Sequence, residues 1–128
     1  MEATKALARY LVSSRWADIP ERVRHEAARA LLNFMGCAIG ASPHERVENA
    51  LAAVREFARG TQATVFDRAG RLHILHAALL NGISAHVFDF DDTHARAIHP
   101  SAPVYPAVLA FAEWRKVSGA ELVHAFVL

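Results

Sequence analysis

Cysteine is nearly absent: Cys37 is the only one, so no internal disulfide can form, and the chain fits a reducing cytoplasm. Charge of one sign is absent too. Fourteen basic and thirteen acidic residues leave a formal net charge of +1, which points to neither nucleic acid nor a membrane surface. No apolar run is long enough to cross a bilayer. The longest, near 34–41 and 102–112, fall short of the roughly 20 residues required. The opening MEATKALARYLVSSRW carries dispersed charge and no apolar h-region, so it does not read as a signal peptide. No internal repeat or low-complexity segment appears. What remains is a chain that is 53% apolar, enough for one small domain with a core. Cys37, inside NFMGCAIGA, reads as an inert core thiol.

The apolar spacing is helical almost throughout. Ala3, Leu7, Leu11 and Val12 mark a short amphipathic helix over 2–14, after which Trp16 and Ile19 return the chain to the core. Pro20 suits a first helical turn, and Val23, Ala27, Leu31 and Met35 continue a helix to about 40. Gly36 and Gly40 are expected to allow close helix packing or to loosen that helix's end. SPHE at 42–45 has the pattern of a capping box before Val47, Leu51, Val54 and Phe57. Alternation in TQATVFD predicts a short extended segment near 62–67. From Leu72 to about Phe90 the chain is apolar on nearly every side, which predicts a central helix covered by others. Ser101 is expected to cap a further helix running to Trp114, with Pro106 near its start, and SGAE at 118–121 is a second capping box. The fold expected is all-α, a bundle of six to seven helices. The last of these ends apolar, in LVHAFVL, without a stop signal, so the chain is expected to be the N-terminal piece of a longer protein.

The chemistry concentrates in HVFDFDDTHARAIHPSAP, residues 86–103, and three readings compete there. DFDDT fits the DxDx[TV] pattern of phosphohydrolases with a nucleophilic aspartate at a strand tip. Against that stand the helical residues before it, the helix-length apolar segment, and Asp92 where glycine is usual. Asp91, Asp92, His94 and His99 form a possible ligand set for a divalent ion, but no HxxxH or HExxH spacing supports it. The third reading is an acid–base site without metal. Asp89 and Thr93, four apart, share a face if the helix runs that far, and His99 returns from the loop to meet Asp89. A carboxylate beside an imidazole can remove a proton alpha to a carboxylate and return one to a leaving hydroxyl. His25, His44, His73, His76, His86 and His124 read as surface or satisfied side chains, in contrast to the dense cluster at 89–101.

NGISAHVFDFDDTH followed by HPSAPVYPAVLAFAE resembles the signature of the MmgE/PrpD family. WADIPERVRHEAARALLNFMGCAIGA, ATVFDRAGRLHILHAALLNG and SGAELVHAF extend the likeness over nearly the whole chain. The resemblance implies a large all-helical domain, of which 1–128 would be the N-terminal part, and a smaller α/β lid outside this chain. It implies a cytoplasmic homodimer acting on small di- or tricarboxylates such as 2-methylcitrate, with no metal, cofactor, nucleic acid or membrane involved. By motif position it marks Asp89 and His99 for proton transfer and Thr93 for substrate contact. Dehydration is the activity expected, with decarboxylation or epimerisation on the same scaffold, or a non-catalytic helical remnant or dimerisation module, as alternatives. Family members run to about three times this length or more, and their active-site lysines and tyrosine lie beyond these residues, so little activity is expected from this chain alone.

Overall fold

In the computed structural model, which describes residues 2–96 and 99–128, the elements follow the predicted periodicity closely. They are α1 (Glu2–Ser13), a 3-10 turn (Trp16–Asp18), α2 (Glu21–Ala41), α3 (Glu45–Val54), β1 (Ala63–Thr64), β2 (Arg71–Leu72), α4 (Ile74–His86), α5 (Ser101–Arg115) and α6 (Gly119–Val127). The fold is all-α, with six α-helices among the described residues. The extended segment predicted near 62–67 is β1, paired antiparallel with β2 so that Ala63 faces Leu72 and Thr64 faces Arg71. Among the described residues, no helix is long and apolar enough to cross a membrane.

The core forms where α2, α4, α5 and α6 meet. Phe34 and Tyr105 are fully buried and stacked at 5.7 Å, and Phe126 stacks on the other side of Tyr105 at 3.6 Å. Tyr105 can be buried because its hydroxyl donates to the Ala27 carbonyl. A second cluster joins Leu51 of α3 and Ala63 of β1 to Ala77 and Leu80 of α4. Helix α4 lies between the two clusters, as its uniform apolarity predicts. Ser84 ties it to α2 by donating to the Ala38 carbonyl at 2.6 Å. Gly82 faces α5, where an added side chain would reach only ordinary van der Waals contact. A Cβ there would sit 3.5 Å from the Ala102 carbonyl, which Pro106 four residues on cannot bond because it has no N–H. At Gly36 and Gly40 a side chain would meet open space, so neither brings two helices close together.

Three local expectations fail for physical reasons. Ser42 does not cap α3. It sits at the end of α2 with its hydroxyl on the Ile39 carbonyl and Asp67, and His44 caps α3 instead, its Nδ1 accepting from the Arg46 N–H. Ser101 does not cap α5 either. It is the first helical residue, and its N–H and hydroxyl both donate to Asp92, at 3.2 and 2.6 Å, so the acid acts as the cap. The central helix stops at His86 rather than near Phe90, and it is not covered all round: Leu75 and Leu79 are exposed. Ser118 and Glu121, by contrast, form both bonds of the second predicted capping box.

Candidate active site

The bare flank of α4 and the facing side of α5 enclose an open groove of about 1070 Å³. Leu79, Ile83 and Pro106 make its wall apolar, and Asp89 and His99 both line it. The chain arrives there through a left-handed turn: Asp89 has φ +59°, a conformation aspartate tolerates better than most residues. The turn folds 89–92 back under the end of α4. Asp89 and Thr93 therefore do not share a helical face, contrary to expectation. Thr93 is exposed and is not among the groove-lining residues, whereas Asp89 Oδ1 lies 3.1 Å from His99 Nε2.

The three aspartates of DFDD have separate environments. Asp89 is exposed, its side chain at 74%. Asp91 is buried with no side-chain exposure, and its Oδ1 meets His86 Nδ1 at 2.9 Å and His99 Nδ1 at 3.4 Å. Asp92 closes the loop, capping α5 with its carboxylate while its N–H donates to Asn33 at 2.9 Å. The phosphohydrolase reading fails, because no strand carries these residues and the described residues contain no doubly wound sheet. The metal reading also changes membership. Asp92 is committed to α5, and His94 Nδ1 accepts from the Arg96 N–H. The side chains that do converge are His86, Asp89, Asp91 and His99. From sequence His86 reads as a surface or satisfied side chain, and it is half exposed, yet its ring joins the cluster. The signal that could have found it is its position on the last turn of α4, five residues before Asp91.

The site is electrically negative. Burial first, then the charges of Asp91 and Asp92, holds the Cys37 thiol above its ordinary range. Burial and Asp92 do the same to the Tyr105 phenol. The site also contains unsatisfied groups. Asp91 Oδ2 and His99 Nδ1 are buried without a hydrogen-bond partner among the described residues. The 3.4 Å approach of His99 Nδ1 to Asp91 Oδ1 is not an aligned hydrogen bond. Each such group costs about 1–3 kcal/mol, which folded proteins carry mainly at sites of function. Arg46, from α3, lines the groove and was missed from sequence, because nothing local connects it to residues 89–99.

A helical domain that brings a carboxylate to an imidazole at the mouth of an apolar groove has the geometry a proton transfer would need. The chain belongs to the MmgE/PrpD family: it matches the MmgE/PrpD N-terminal domain over residues 5–128. It is similar to cis-aconitate decarboxylase of Homo sapiens, 30% identical over 128 residues, covering 96% of this chain and 27% of that protein. It is also 30% identical to cis-aconitate decarboxylase of Mus musculus over 113 residues, covering 84% of this chain and 23% of that protein. The chain thus spans about a quarter of the length of the curated relatives it matches.

Proposed function

We propose that the chain provides the acid–base part of a lyase acting on a small di- or tricarboxylate, such as 2-methylcitrate. The observation that carries this is the 3.1 Å contact between Asp89 and His99 at the rim of the groove. In the dehydratase form, one of the pair takes a proton alpha to a carboxylate. The C–O bond then breaks, and the other partner protonates the departing hydroxyl, which leaves as water. The proton moves between side chains and substrate with no metal ion in the step, a feature taken from the family resemblance. Thr93 is kept as a substrate contact on its motif position alone. Homodimerisation and a cytoplasmic location rest on the family likeness and on the lack of a cysteine pair.

A polyanionic substrate entering a site with three aspartates needs cations. Arg46 lines the groove and offers a bidentate partner for a substrate carboxylate. The remaining cations are assigned to protein beyond these residues, so the 128 residues alone are expected to turn over little substrate. Decarboxylation is the second reading, favoured by the activity for which both relatives are named. There the C–CO₂ bond breaks and the carbon left behind takes the proton.

The test is a turnover panel on the intact protein with 2-methylcitrate and cis-aconitate, with and without Asp89→Asn and His99→Ala. Water loss from methylcitrate supports the first reading and CO₂ release from cis-aconitate the second. Activity that survives both substitutions would refute the site. Inactivity of the intact protein across the panel would favour the non-catalytic module.

A further inference from the structure

The proton-transfer pair accounts for two of four side chains that converge beside the groove. His86, Asp89, Asp91 and His99 each offer a ligand atom, and these atoms all lie within 4.8 Å of one another. Tetrahedral zinc, with bonds of about 2.0–2.1 Å, holds neighbouring donors about 3.4 Å apart. The 2.9 Å contact of His86 with Asp91 is near that scale, and His99 reaches Asp89 through Nε2 at 3.1 Å or Asp91 through Nδ1 at 3.4 Å, offering one of the two nitrogens to an ion. Proximity of acids and imidazoles alone would not make a site. The second observation is the pair of buried, unpartnered atoms, Asp91 Oδ2 and His99 Nδ1, the former on a side chain with no exposure at all. A carboxylate oxygen has only lone pairs to offer, and so has an imidazole nitrogen whose proton is on the other nitrogen. Two such atoms cannot satisfy each other. A cation within reach of both would satisfy both.

We propose that these four residues bind a divalent transition ion of the zinc class, and that the ion inhibits the protein instead of serving its reaction. Two nitrogens and two oxygens suit zinc or copper, whereas magnesium takes oxygen ligands and gives up its water reluctantly. Inhibition follows from the ligands used. A bound ion takes up lone pairs of Asp89 and His99, the same electrons that accept and hand on protons. His86 reaches the ion from the last turn of α4, and Asp91 reaches it from the buried side of the loop; neither belongs to the pair, but both adjoin His99, so each variant is compared with its own metal-free rate. The binding half rests on geometry alone. The inhibition half rests on the lyase reading.

The intact protein, freed of metal by a chelator, is titrated with zinc by calorimetry, and cobalt serves as a visible-absorbance reporter of tetrahedral coordination. The expected result is one saturable equivalent, no uptake of magnesium, and binding weakened about tenfold or more by His86→Ala and by Asp91→Asn. His86→Gln is the companion variant, with circular dichroism as the check on folding. Zinc is expected to suppress turnover, and His86→Ala, compared with its own zinc-free rate, is expected to need about tenfold more zinc. Absence of a one-to-one isotherm, or binding unchanged in folded His86 and Asp91 variants, overturns the site. Binding that leaves turnover untouched overturns the inhibition. Binding lost in the variants of a protein that turns over no polycarboxylate upholds the metal site and sinks the lyase reading instead.

Discussion

Two polar clusters face each other in kind across this small domain, and they are built differently. Around β1, Glu113 Oε2 accepts from the Thr64 N–H at 3.0 Å, the Thr64 hydroxyl at 2.8 Å and Arg71 at 2.6 Å. Arg71 also donates to the Gln62 carbonyl, and buried Asn81 accepts from the Phe66 N–H while donating to the Thr64 carbonyl. There, one carboxylate meets one guanidinium and each strand group named has a partner. Around the end of α4, Asp89 and Asp91 meet only imidazoles, and two buried atoms are left over. The balanced cluster fastens a hairpin to a helix, and Gln62 Oε1 is its one buried atom without a partner among the described residues. An unbalanced one stores unmet bonding capacity, which a substrate or an ion can use.

The contrast yields predictions of decreasing size. In the intact protein, Asp89→Asn or His99→Ala is expected to lower kcat by about 10²–10⁴-fold while leaving the thermal midpoint close to wild type, since Asp89 is largely exposed. Steady-state kinetics beside a melting curve would show it, and a large loss of stability would erase the contrast. On the balanced side, Asn81→Ala leaves the Phe66 N–H and the Thr64 carbonyl unpaired and should cost about 2–4 kcal/mol in urea unfolding. Glu113→Ala removes three acceptor contacts on a half-buried acid and should cost about 2 kcal/mol, with little change in kcat. If Glu113→Ala instead abolished turnover at unchanged stability, the division between fastening and functional clusters would be wrong.

The smallest effect expected is at α6. Ser118→Ala should cost about 1 kcal/mol as a lost cap. The Ser118 N–H, and then its hydroxyl, lower the pKa of Glu121 below the usual carboxylate range. A carboxyl lowered on folding adds stability above its unfolded pKa and loses it as pH falls through the folded value. Acid titration should therefore destabilise wild type slightly more than Glu121→Gln, a difference that unfolding midpoints between neutral and acidic pH would resolve.

Legibility followed the range of the interactions. SGAE was readable because Ser118 and Glu121 are three apart and bond only to each other and the adjacent backbone. SPHE has the same spelling and failed, because Ser42 found Asp67 twenty-five residues away. The meeting of Asp89 with His99 was foreseeable from a short loop closed by Pro100, although the helical face assumed for Asp89 and Thr93 was not formed. Arg46 was invisible, since only the packing of α3 brings it to the groove. The roles of Asp91 and Asp92 could not be told apart on paper. Both are acids in one run, and their difference lies in Asn33, His86 and Ser101, which the fold delivers to them.

The sequence by itself determined the all-helical class, the order of the helices, the central place of α4 and the density of acids and imidazoles after it. Periodicity and capping act within about four residues, so any window of the chain carries them. Only the tertiary structure decided where α4 stops, that Asp89 turns left-handed into a groove, that Asp91 is buried beneath two imidazoles, and that His86 joins them. Those outcomes depend on which distant group reaches a side chain first, and a buried charge takes its character from the partners it is given or denied.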